Sequence, residues 1–553
     1  MKLNGSQLAV KLLERQGIDL VAGIPGGANL PLYHALAEGS IRHVLVRHEQ
    51  AAGFLAQGMA RTTGRAAVCF ATSGPGATNL LTAIADAKLD SIPVIAITGQ
   101  VPGSFIGTDA FQEVDTYGLT LPITKHNFLV RRAAELPTII PEAFRIALSG
   151  RPGPVVIDLP KDVQKETLEL KEFPAPGRAD PFPAPRAEEL EAAARLIAAA
   201  ERPLAYAGGG VIASGAAPEL AAFCRKADIP AVVTLNGLGA LPAGDPHFLG
   251  MLGMHGSRAV NAAVNGADLL IVLGARFDDR ATGEIRSFAP QARILHIDVD
   301  RAELGKLRRP DVLMAANVKQ ALGALTELIS VQHHADWRKE IAALRTNLPE
   351  TVNGDPMHPV NLLRAVAALL PEEVILATDV GQHQMWAAQV FPVRRPRSFL
   401  SSGGLGTMGF GLPTALGAAL ANPECPVVLV TGDGSLLMNI QELATLAELD
   451  VNIKILLFNN GQLGLVRQQQ ELFYEKRYTA SCFEGQPDFC AIARGFGIPA
   501  VKMEAFDGTA LAAFFERPGP ALLDLAVTGT ENVYPMVPPG AGNMQAIYER
   551  SKA

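Results

Sequence analysis

The stretch from Thr431 to Gln462 reads TGDGSLLMNIQELATLAELDVNIKILLFNNGQ, and it decides the fold of this chain. Apolar runs at 427–430 and 453–458 precede its two tight turns and are typical of strands buried in a parallel sheet. Between them, apolar residues recur at helical spacing from 440 to 447. Because a right-handed crossover brings the carboxyl ends of both strands to one edge of the sheet, we expect Asp433 and Asn460 to lie side by side.

These two side chains offer oxygen atoms of the kind that Mg²⁺ prefers, and Mg²⁺ completes its octahedron with phosphate and water. The flanking glycines let the backbone approach a diphosphate closely, and the start of the following helix favours anions. Gly-Asp-Gly alone is ordinary turn chemistry. GDG at 432–434 followed by NN at 459–460, each directly after a strand, is much more specific. It resembles the diphosphate-anchoring motif of thiamine-diphosphate enzymes.

Length and composition predict a large α/β protein of about three domains, since the chain has 553 residues and 48% hydrophobic content. The net charge of −7 and the lack of a basic block argue against a nucleic-acid partner. Five cysteines without a CxxC pair favour a reduced chain. The amino terminus does not resemble a signal peptide, and no apolar run reaches membrane-spanning length. We therefore expect a cytoplasmic protein without a membrane segment.

Strands that alternate with helices predict three doubly wound parallel-sheet domains, with sites at the carboxyl ends of the strands. We assign the first domain to residues 1–165, a proline-rich linker to 166–187, the middle domain to 188–335 and the third domain to 357–553. A polar helical stretch at 337–351 is predicted to join the last two. In the first domain Glu49, the turn at 73–76 and Gln100 follow predicted strands.

The middle domain has a pattern that suits a dinucleotide, although its spacing is not that of G-x-G-x-x-G. Three glycines at 208–210 follow one predicted strand, Arg276 follows a second, and a third ends at Asp298. Such an acid can hold a ribose, and such a glycine turn can hold a phosphate. A structural domain without a ligand fits the pattern equally well.

Glu49 stands at the start of a predicted helix, where an acid interacts favourably with the helix dipole. Taken alone, this structural interpretation is the better one. With a thiamine-diphosphate motif downstream, a glutamate has a specific task, because it can hydrogen-bond the cofactor's pyrimidine and promote the imino tautomer that acts as base.

Motifs across all three domains extend this resemblance to nearly the whole chain. It resembles the catalytic large subunits of the acetohydroxyacid synthase (acetolactate synthase) family, and most of all the bacterial isozyme I type. The motifs are IPGG (24–27), RHEQAAGF (47–54), TSGPGATN (72–79), ITGQVP (97–102), GTDAFQEVD (107–115), SGRPGPVVIDLPKDVQ (149–164), LGARFDDR (273–280), DVGQHQMW (379–386), SGGLGTMGFGLP (402–413), GDGS (432–435) and VYPMVPPG (533–540).

The resemblance implies three groups of site residues. Mg²⁺ would be held by Asp433, Asn460 and Gln462. Thiamine diphosphate would contact Pro25, Gly26, Glu49, Val380, Gly381, Gln382, His383, Gly406, Met408, Gly432, Asp433, Gly434, Ser435, Asn460, Gln462, Gly464 and Leu465. FAD, without an electron-carrying role, would contact Arg151, Gly208, Gly209, Gly210, Thr234, Leu235, Met254, His255, Gly274, Arg276, Asp278, Arg280, Asp298 and Val299.

The same resemblance assigns catalytic roles to Glu49, Gln112, Lys161 and Met408, and substrate contacts to Phe111, Gln112 and Gln469. Met408 would prop the cofactor into its bent conformation, although a methionine can equally fill a core. Many family members carry tryptophan where Gln469 stands. In the family this tryptophan forms an apolar wall of the pocket for the second 2-oxoacid. Without it we expect only a weak preference for 2-oxobutyrate over pyruvate, since one methylene contributes only about 1–3 kcal/mol of discrimination in an apolar pocket.

The implied reaction decarboxylates pyruvate and ligates the remaining two-carbon unit to pyruvate or 2-oxobutyrate, giving 2-acetolactate or 2-aceto-2-hydroxybutyrate for branched-chain amino acid biosynthesis. The resemblance also implies a homodimer or homotetramer and a small regulatory subunit. The alternatives are glyoxylate carboligase, a 2-oxoacid decarboxylase, pyruvate oxidase and a flavin-binding module without catalysis. The intact Glu49, Asp433 and Asn460 argue against the last, and the absence of histidine from 104–117 argues against the decarboxylases.

Overall fold

The first domain of the computed structural model, which describes residues 1–344, 352 and 354–548, is built on a six-stranded parallel sheet. Its sheet order is β3-β2-β4-β5-β7-β6, and β1 and β8 pair separately in an antiparallel ribbon. The strands are β1 Lys2–Asn4, β2 Leu20–Gly23, β3 Arg42–Leu45, β4 Ala67–Ala71, β5 Val94–Gln100, β6 His126–Leu129, β7 Val155–Pro160 and β8 Thr167–Glu169. The helices are α1 Gly5–Arg15, α2 Leu30–Ala37, α3 Glu49–Thr63, α4 Pro75–Asp90, α5 Thr116–Thr120, α6 Leu136–Leu148 and α7 Lys161–Lys165.

The middle domain has a second six-stranded parallel sheet in the order β11-β10-β9-β12-β13-β14. Successive strands are added to one side of β9 as far as β11, and the order then reverses, so that β12 to β14 are added on the other side of β9. Its strands are β9 Pro203–Ala207, β10 Ala231–Val233, β11 Phe248–Met251, β12 Leu269–Leu273, β13 Arg293–Asp298 and β14 Val312–Ala315. Its helices are α8 Ala187–Ala198, α9 Gly209–Ala213, α10 Ala217–Ala227, α11 Arg258–Gly266, α12 Asp279–Thr282, α13 Val318–Leu328 and α14 Ala335–Leu344.

The third domain repeats the architecture with the sheet order β16-β15-β17-β18-β20-β19. Counted along the chain, this is the strand order of the first domain's sheet. Its strands are β15 Ile375–Thr378, β16 Phe399–Leu400, β17 Val427–Gly432, β18 Ile453–Asn459, β19 Ala500–Met503 and β20 Ala521–Ala526. Its helices are α15 Pro359–Leu369, α16 Gln382–Val390, α17 Gly411–Ala421, α18 Asp433–Leu436, α19 Glu442–Leu449, α20 Gly464–Phe473, α21 Phe489–Gly495 and α22 Gly508–Glu516.

The predicted fold class, three doubly wound parallel-sheet domains, is confirmed. The central strands are apolar throughout because helices cover both faces of each sheet, as β5, β12 and β17 illustrate by complete burial. Two details differ from the sequence-based assignment. Strand β8 lies within the segment assigned as linker, and only the first part of the stretch at 337–351 is described, as the end of α14. The remainder, 345–351, lies outside the described residues.

Helices α3 and α17 join the first and third domains. They cross where both are glycine: a Cβ on Gly58 would lie 2.1 Å from the Thr414 carbonyl oxygen, and one on Gly417 would lie 2.0 Å from that of Leu55. Only glycine permits this approach of two backbones. The crossing is part of a continuous apolar core that runs from the first sheet to the third.

Candidate functional site

The turn after β17 and the turn after β18 meet at the edge of the third sheet, as the crossover argument predicts. The strands are direct neighbours, with Gly432 paired to Phe458. The Asp433 carboxylate accepts hydrogen bonds from the backbone N–H of Gly434 at 3.0 Å and of Gly461 at 2.8 Å. The side-chain oxygen of Asn460 accepts one from the N–H of Gln462 at 3.1 Å. One carboxylate and one amide oxygen are thus held together by backbone donors.

Glycines at this edge leave no room for side chains. A Cβ on Gly434 would lie 2.6 Å from the Leu463 side chain and 3.6 Å from Cε of Met408. One on Gly464 would lie 2.1 Å from Oε1 of Gln382. Segments 380–383, 406–408, 432–435 and 460–465 therefore converge on one place, which gathers the third-domain residues predicted to bind thiamine diphosphate.

Two polar atoms at this edge are buried without a protein partner. The Oε1 atom of Gln462 and the Nε2 atom of His383 have no hydrogen bond, and burial lowers the pKa of His383 to about 3, so its imidazole is neutral. Burial also raises the pKa of Asp433, which is only 1% exposed. A cation would offset that desolvation. The described residues contain no cluster of three or more His, Cys, Asp or Glu that suits a metal, so the donors here are one carboxylate and neutral oxygens, as Mg²⁺ prefers.

Glu49 lies in the first domain, at the start of α3. The residue is 8% exposed, and its side chain accepts a hydrogen bond from Nδ2 of Asn79 at 2.9 Å. A Cβ on Gly76 would lie 3.3 Å from Oε1 of Glu49, and one on Gly26 would lie 2.6 Å from the Thr72 side chain. The residues predicted at the pyrimidine end, Pro25, Gly26 and Glu49, therefore share the edge formed by the ends of β2 and β4.

The predicted substrate residues of the first domain lie on the rim of this edge. Gln112 packs on Gly74, since a Cβ added to Gly74 would lie 2.9 Å from the Gln112 Cα. The backbone of Gln112 has a positive φ of 59°. Phe111 beside it is 88% exposed. Lys161 is the first residue of α7, directly after β7. Among the described residues, no hydrogen bond joins Glu49 to the Asp433–Asn460 edge of the same chain. We refer to these two groups of predicted site residues as the half-sites.

The middle domain contains a cavity of about 560 Å³. It lies where the sheet order reverses between β9 and β12, the position at which doubly wound sheets bind dinucleotides. All fourteen residues that the resemblance assigned to FAD line it: Arg151, Gly208, Gly209, Gly210, Thr234, Leu235, Met254, His255, Gly274, Arg276, Asp278, Arg280, Asp298 and Val299. Sequence reasoning from the middle domain alone left a ligand undecided, and the cavity favours one.

The floor of the cavity is backbone against backbone. The N–H of Gly210 donates to the Gly274 carbonyl at 3.0 Å, and a Cβ on Gly210 would lie 2.7 Å from the Gly274 Cα. Gly274 has a φ of 54°, which disfavours any other residue. The Nδ1 atom of His255 lies 2.9 Å from the carbonyl oxygen of Pro535. Burial lowers the pKa of His255 to about 4. Burial raises the pKa of Asp298 to about 6.

Charged groups of two domains meet at the rim. Nη1 of Arg151, from the first domain, lies 3.0 Å from Oε1 of Glu303 and 3.3 Å from Oδ2 of Asp300. The third domain contributes Val380, Gly406, Leu465 and Gln469 to the same lining. The predicted flavin residues and the predicted acceptor residue Gln469 therefore face one connected space.

Sequence reasoning missed several lining residues. Asp90, Ser91, Asn236, Gln384, Met385, Met536 and the loop residues 402–405 also line the cavity. The loop belongs to the family motif at 402–413, but the sequence did not predict that it would lie against the middle domain. Asp90 gave no signal, because an aspartate at a helix end is commonplace in sequence.

Three segments match families of thiamine pyrophosphate enzymes. Residues 3–119 match the N-terminal TPP binding domain, 190–325 the central domain and 379–525 the C-terminal TPP binding domain. Thiamine pyrophosphate is the cofactor that the Asp433–Asn460 motif predicted, and these matches confirm it.

Relatives extend the similarity to the full length. The chain is 54% identical to acetolactate synthase isozyme 1 large subunit of Escherichia coli, over 99% of this chain and 98% of that protein. It is 47% identical to acetolactate synthase isozyme 2 large subunit of the same organism, over 99% of this chain and 100% of that protein. It is 46% identical to acetolactate synthase 2, chloroplastic, of Zea mays, over 99% and 89%. The chain belongs to the acetolactate synthase large-subunit family of thiamine-diphosphate-dependent enzymes.

Proposed function

We propose that this enzyme decarboxylates pyruvate and ligates the remaining two-carbon unit to a second 2-oxoacid, pyruvate or 2-oxobutyrate, in branched-chain amino acid biosynthesis. The observation that carries the proposal is the pair of half-sites. One presents a buried carboxylate, Glu49, and the other a buried carboxylate beside an amide, Asp433 and Asn460. Thiamine diphosphate, when bound, supplies the electron sink for loss of CO₂, which protein side chains lack.

The residues of the third domain are suited to hold the anionic end of that cofactor. Asp433 and Asn460, with the main-chain carbonyl of Gln462, are proposed to bind Mg²⁺ and through it the diphosphate. The glycines at 432, 434 and 464 leave space that a Cβ would fill. Met408, whose Cε approaches Gly434, is proposed to support the bent cofactor from the side.

Glu49 is proposed to share a proton with a nitrogen of the pyrimidine ring, which would favour the imino tautomer that acts as the base. Its burial and its bond from Asn79 fix the carboxylate in one position. Gln112, Phe111 and Lys161 are proposed to guide the 2-oxoacid. In line with the homodimer that the resemblance implies, we propose that Glu49 acts on the third domain of a second copy.

A second copy also fits the exposed apolar side chains. Phe105, Phe111 and Leu121 of the first domain and Met438 and Tyr474 of the third are exposed. Large exposed apolar surfaces of this kind are typical of interfaces. We propose a homodimer or homotetramer, and a small regulatory subunit, as the term "large subunit" in the names of relatives suggests. We place the enzyme in the cytoplasm.

The cavity of the middle domain is proposed to hold FAD. The glycine floor suits its pyrophosphate, Asp298 its ribose, and Arg276 and Arg280 its negative charge. No electron transfer is proposed for it. Oxygen uptake with pyruvate as the sole substrate would indicate an oxidase instead.

No helix among the described residues combines the length and the apolar character that a membrane crossing requires.

The decisive experiment is the replacement Glu49→Gln, assayed by acetolactate release from pyruvate. We expect a loss of roughly 10²–10⁴-fold in kcat, the usual range for removal of a proton-transferring group. Asp336→Asn is the matched control, since the Asp336 side chain is fully exposed at 100%. Unchanged activity of Glu49→Gln would refute the proposed role.

A further inference from the structure

A buried cluster of charges joins the first domain to the loop at 401–410 of the third. Asp86 and Asp90 lie on α4, one turn apart, and Arg61 lies on α3. The side chains of both aspartates are 0% exposed and that of Arg61 is 8% exposed. Nη2 of Arg61 lies 2.7 Å from Oδ2 of Asp90 and 3.4 Å from Oδ1 of Asp86. We call these three residues the carboxylate clamp.

One arginine cannot balance two buried carboxylates, so neutral donors must supply the remainder. The loop provides most of them. Asp90 accepts the N–H of Gly403 at 3.0 Å and of Gly404 at 2.8 Å, and Asp86 accepts the hydroxyl of Thr407 at 2.9 Å and that of Ser402. The clamp therefore binds the loop through four hydrogen bonds to carboxyl oxygens.

The clamp also reaches the middle domain. Nδ2 of Asn236 donates to Oδ1 of Asp90 at 2.9 Å, and Asn236 and Asp90 both line the cavity described above. All three domains of one chain thus meet at Asp90.

The third domain itself supports the two ends of the loop. The loop contains no helix or strand between β16 and α17, and residues 404–406 are exposed. After Met408 the backbone is held within the third domain, because the N–H of Gly409 donates to Asp379 at 2.8 Å. Before Met408, Gln384 of α16 donates to the Ser401 hydroxyl at 2.7 Å and to the Ser402 carbonyl at 3.3 Å. The supports from the first domain come from Asp86 and Asp90, which accept hydrogen bonds from residues 402–407. The position of Met408 therefore depends in part on the first domain.

We propose that Asp86 and Asp90 are positioning residues for the reaction: they fix the loop at 402–408, and with it Met408, in the third domain of their own chain. The inference rests on the proposed function, in which Met408 supports thiamine diphosphate. Helix α4 then serves two sites. Its start, at Gly76, lies against Glu49, which acts on the partner's third domain, and its end holds the chain's own loop.

The first test is Asp90→Asn. Gly403 and Gly404 donate to different oxygens of Asp90, so the asparagine oxygen can accept only one of these bonds and its amide nitrogen cannot accept the other. The loop should therefore shift. We expect kcat for acetolactate to fall by roughly 10- to 100-fold, the effect of about a 1 Å misplacement, while KM for pyruvate stays within about twofold. Flavin binding, followed by fluorescence quenching, should weaken by about tenfold or more, because Asp90 also holds the cavity wall. Asp336→Asn should change neither.

A second variant approaches the clamp from the loop. Thr407→Val removes one donor to Asp86 and leaves the first domain intact. We expect a loss of about 3- to 30-fold in kcat, and the double variant with Asp86→Asn should lose clearly less than the product of both single losses, since both act through one contact. Multiplicative losses, or kcat unchanged in Asp90→Asn with a normal melting curve, would overturn the proposal.

A separate experiment tests whether Asp90 acts on the third domain of its own chain. It uses heterodimers purified through two different tags. A Glu49→Gln chain paired with an Asp90→Asn chain retains one intact site if Asp90 acts on its own third domain and Glu49 on the partner's. We then expect about half of the activity of the unmodified dimer, which has two equivalent sites. Activity no higher than that of Asp90→Asn alone would place Asp90 at the same site as its own Glu49 and refute the inference.

A reference pair separates this outcome from failure of the proposed function. Glu49→Gln paired with Asp433→Asn should also recover about half of the activity, because one site receives both intact groups. If this pair stays inactive, the proposed sharing of sites between chains is wrong. The effects of Asp90→Asn and Thr407→Val on kcat and on flavin binding then decide the positioning role by themselves.

Discussion

Replacement of Gly417 by alanine tests how the first and third domains are held together. A Cβ at 417 would lie 2.0 Å from the Leu55 carbonyl oxygen and 3.1 Å from the Met59 nitrogen. Both are backbone atoms within α3, so no side-chain rotation can relieve the clash. Non-bonded contacts with carbon are comfortable only near about 3.5 Å. The helices must therefore separate by roughly 1 Å or more.

The expected cost follows from two opposing effects. Overpacking of a tight core costs about 1–3 kcal/mol, and more where rigid backbone must move. Alanine in a helix recovers about 0.5–1 kcal/mol relative to glycine. We expect a net destabilisation of about 1–2 kcal/mol, which lowers the first unfolding transition by about 2–4 °C per kcal/mol in domains of about 150–250 residues. Since helix α17 follows the Met408 loop, activity should also fall by about tenfold or more.

Calorimetry and the acetolactate assay measure both effects. Gly323→Ala is the matched control, because Gly323 lies inside α13 and a Cβ there meets nothing within 4 Å. That change should leave activity intact and leave stability equal or slightly higher, by about 0.5–1 kcal/mol. If Gly417→Ala melts and reacts like Gly323→Ala, the close crossing of α3 and α17 is not required and the reasoning fails.

Three further predictions concern the cavity, the acceptor and pH. Gly210→Ala should abolish or strongly weaken flavin binding, since its Cβ would lie 2.7 Å from the Gly274 Cα; wild-type affinity in a flavin titration would contradict this. Gln469→Trp should raise the preference for 2-oxobutyrate over pyruvate, measured by competition of both acceptors, by about 5- to 100-fold, the worth of one methylene; an unchanged ratio would contradict it. Burial raises the pKa of Asp158 to about 7, above the ordinary 3.8, so its contribution to folding is complete below about pH 4 and is lost as pH rises through 7. The unfolding temperature of Asp158→Asn, measured relative to that of the wild type, should therefore rise as the pH is raised from 4 to 8. A difference in unfolding temperature that does not change with pH would contradict this.

Much of the fold is readable from local pattern. The apolar runs before Asp433 and Asn460 are strands β17 and β18, and the helical spacing between them forms α19, because strand burial and helix amphipathicity are properties of short segments. The turn residues follow for the same reason: a diphosphate site at strand ends requires glycine and oxygen ligands at fixed local positions. Sequence alone therefore predicted the family.

Contacts between distant segments were decided by tertiary structure. Asp86, Asp90 and Arg61 resemble ordinary polar helix residues in sequence, and nothing local distinguishes them from solvated ones. They become a buried clamp only because α3 crosses α17 at two glycines and brings α4 against the loop before Met408. The cavity shared by the middle domain and Gln469 arises in the same way. Short-range pattern fixes which faces are apolar, whereas the docking of those faces, through packing of whole helices and sheets, fixes which polar groups meet.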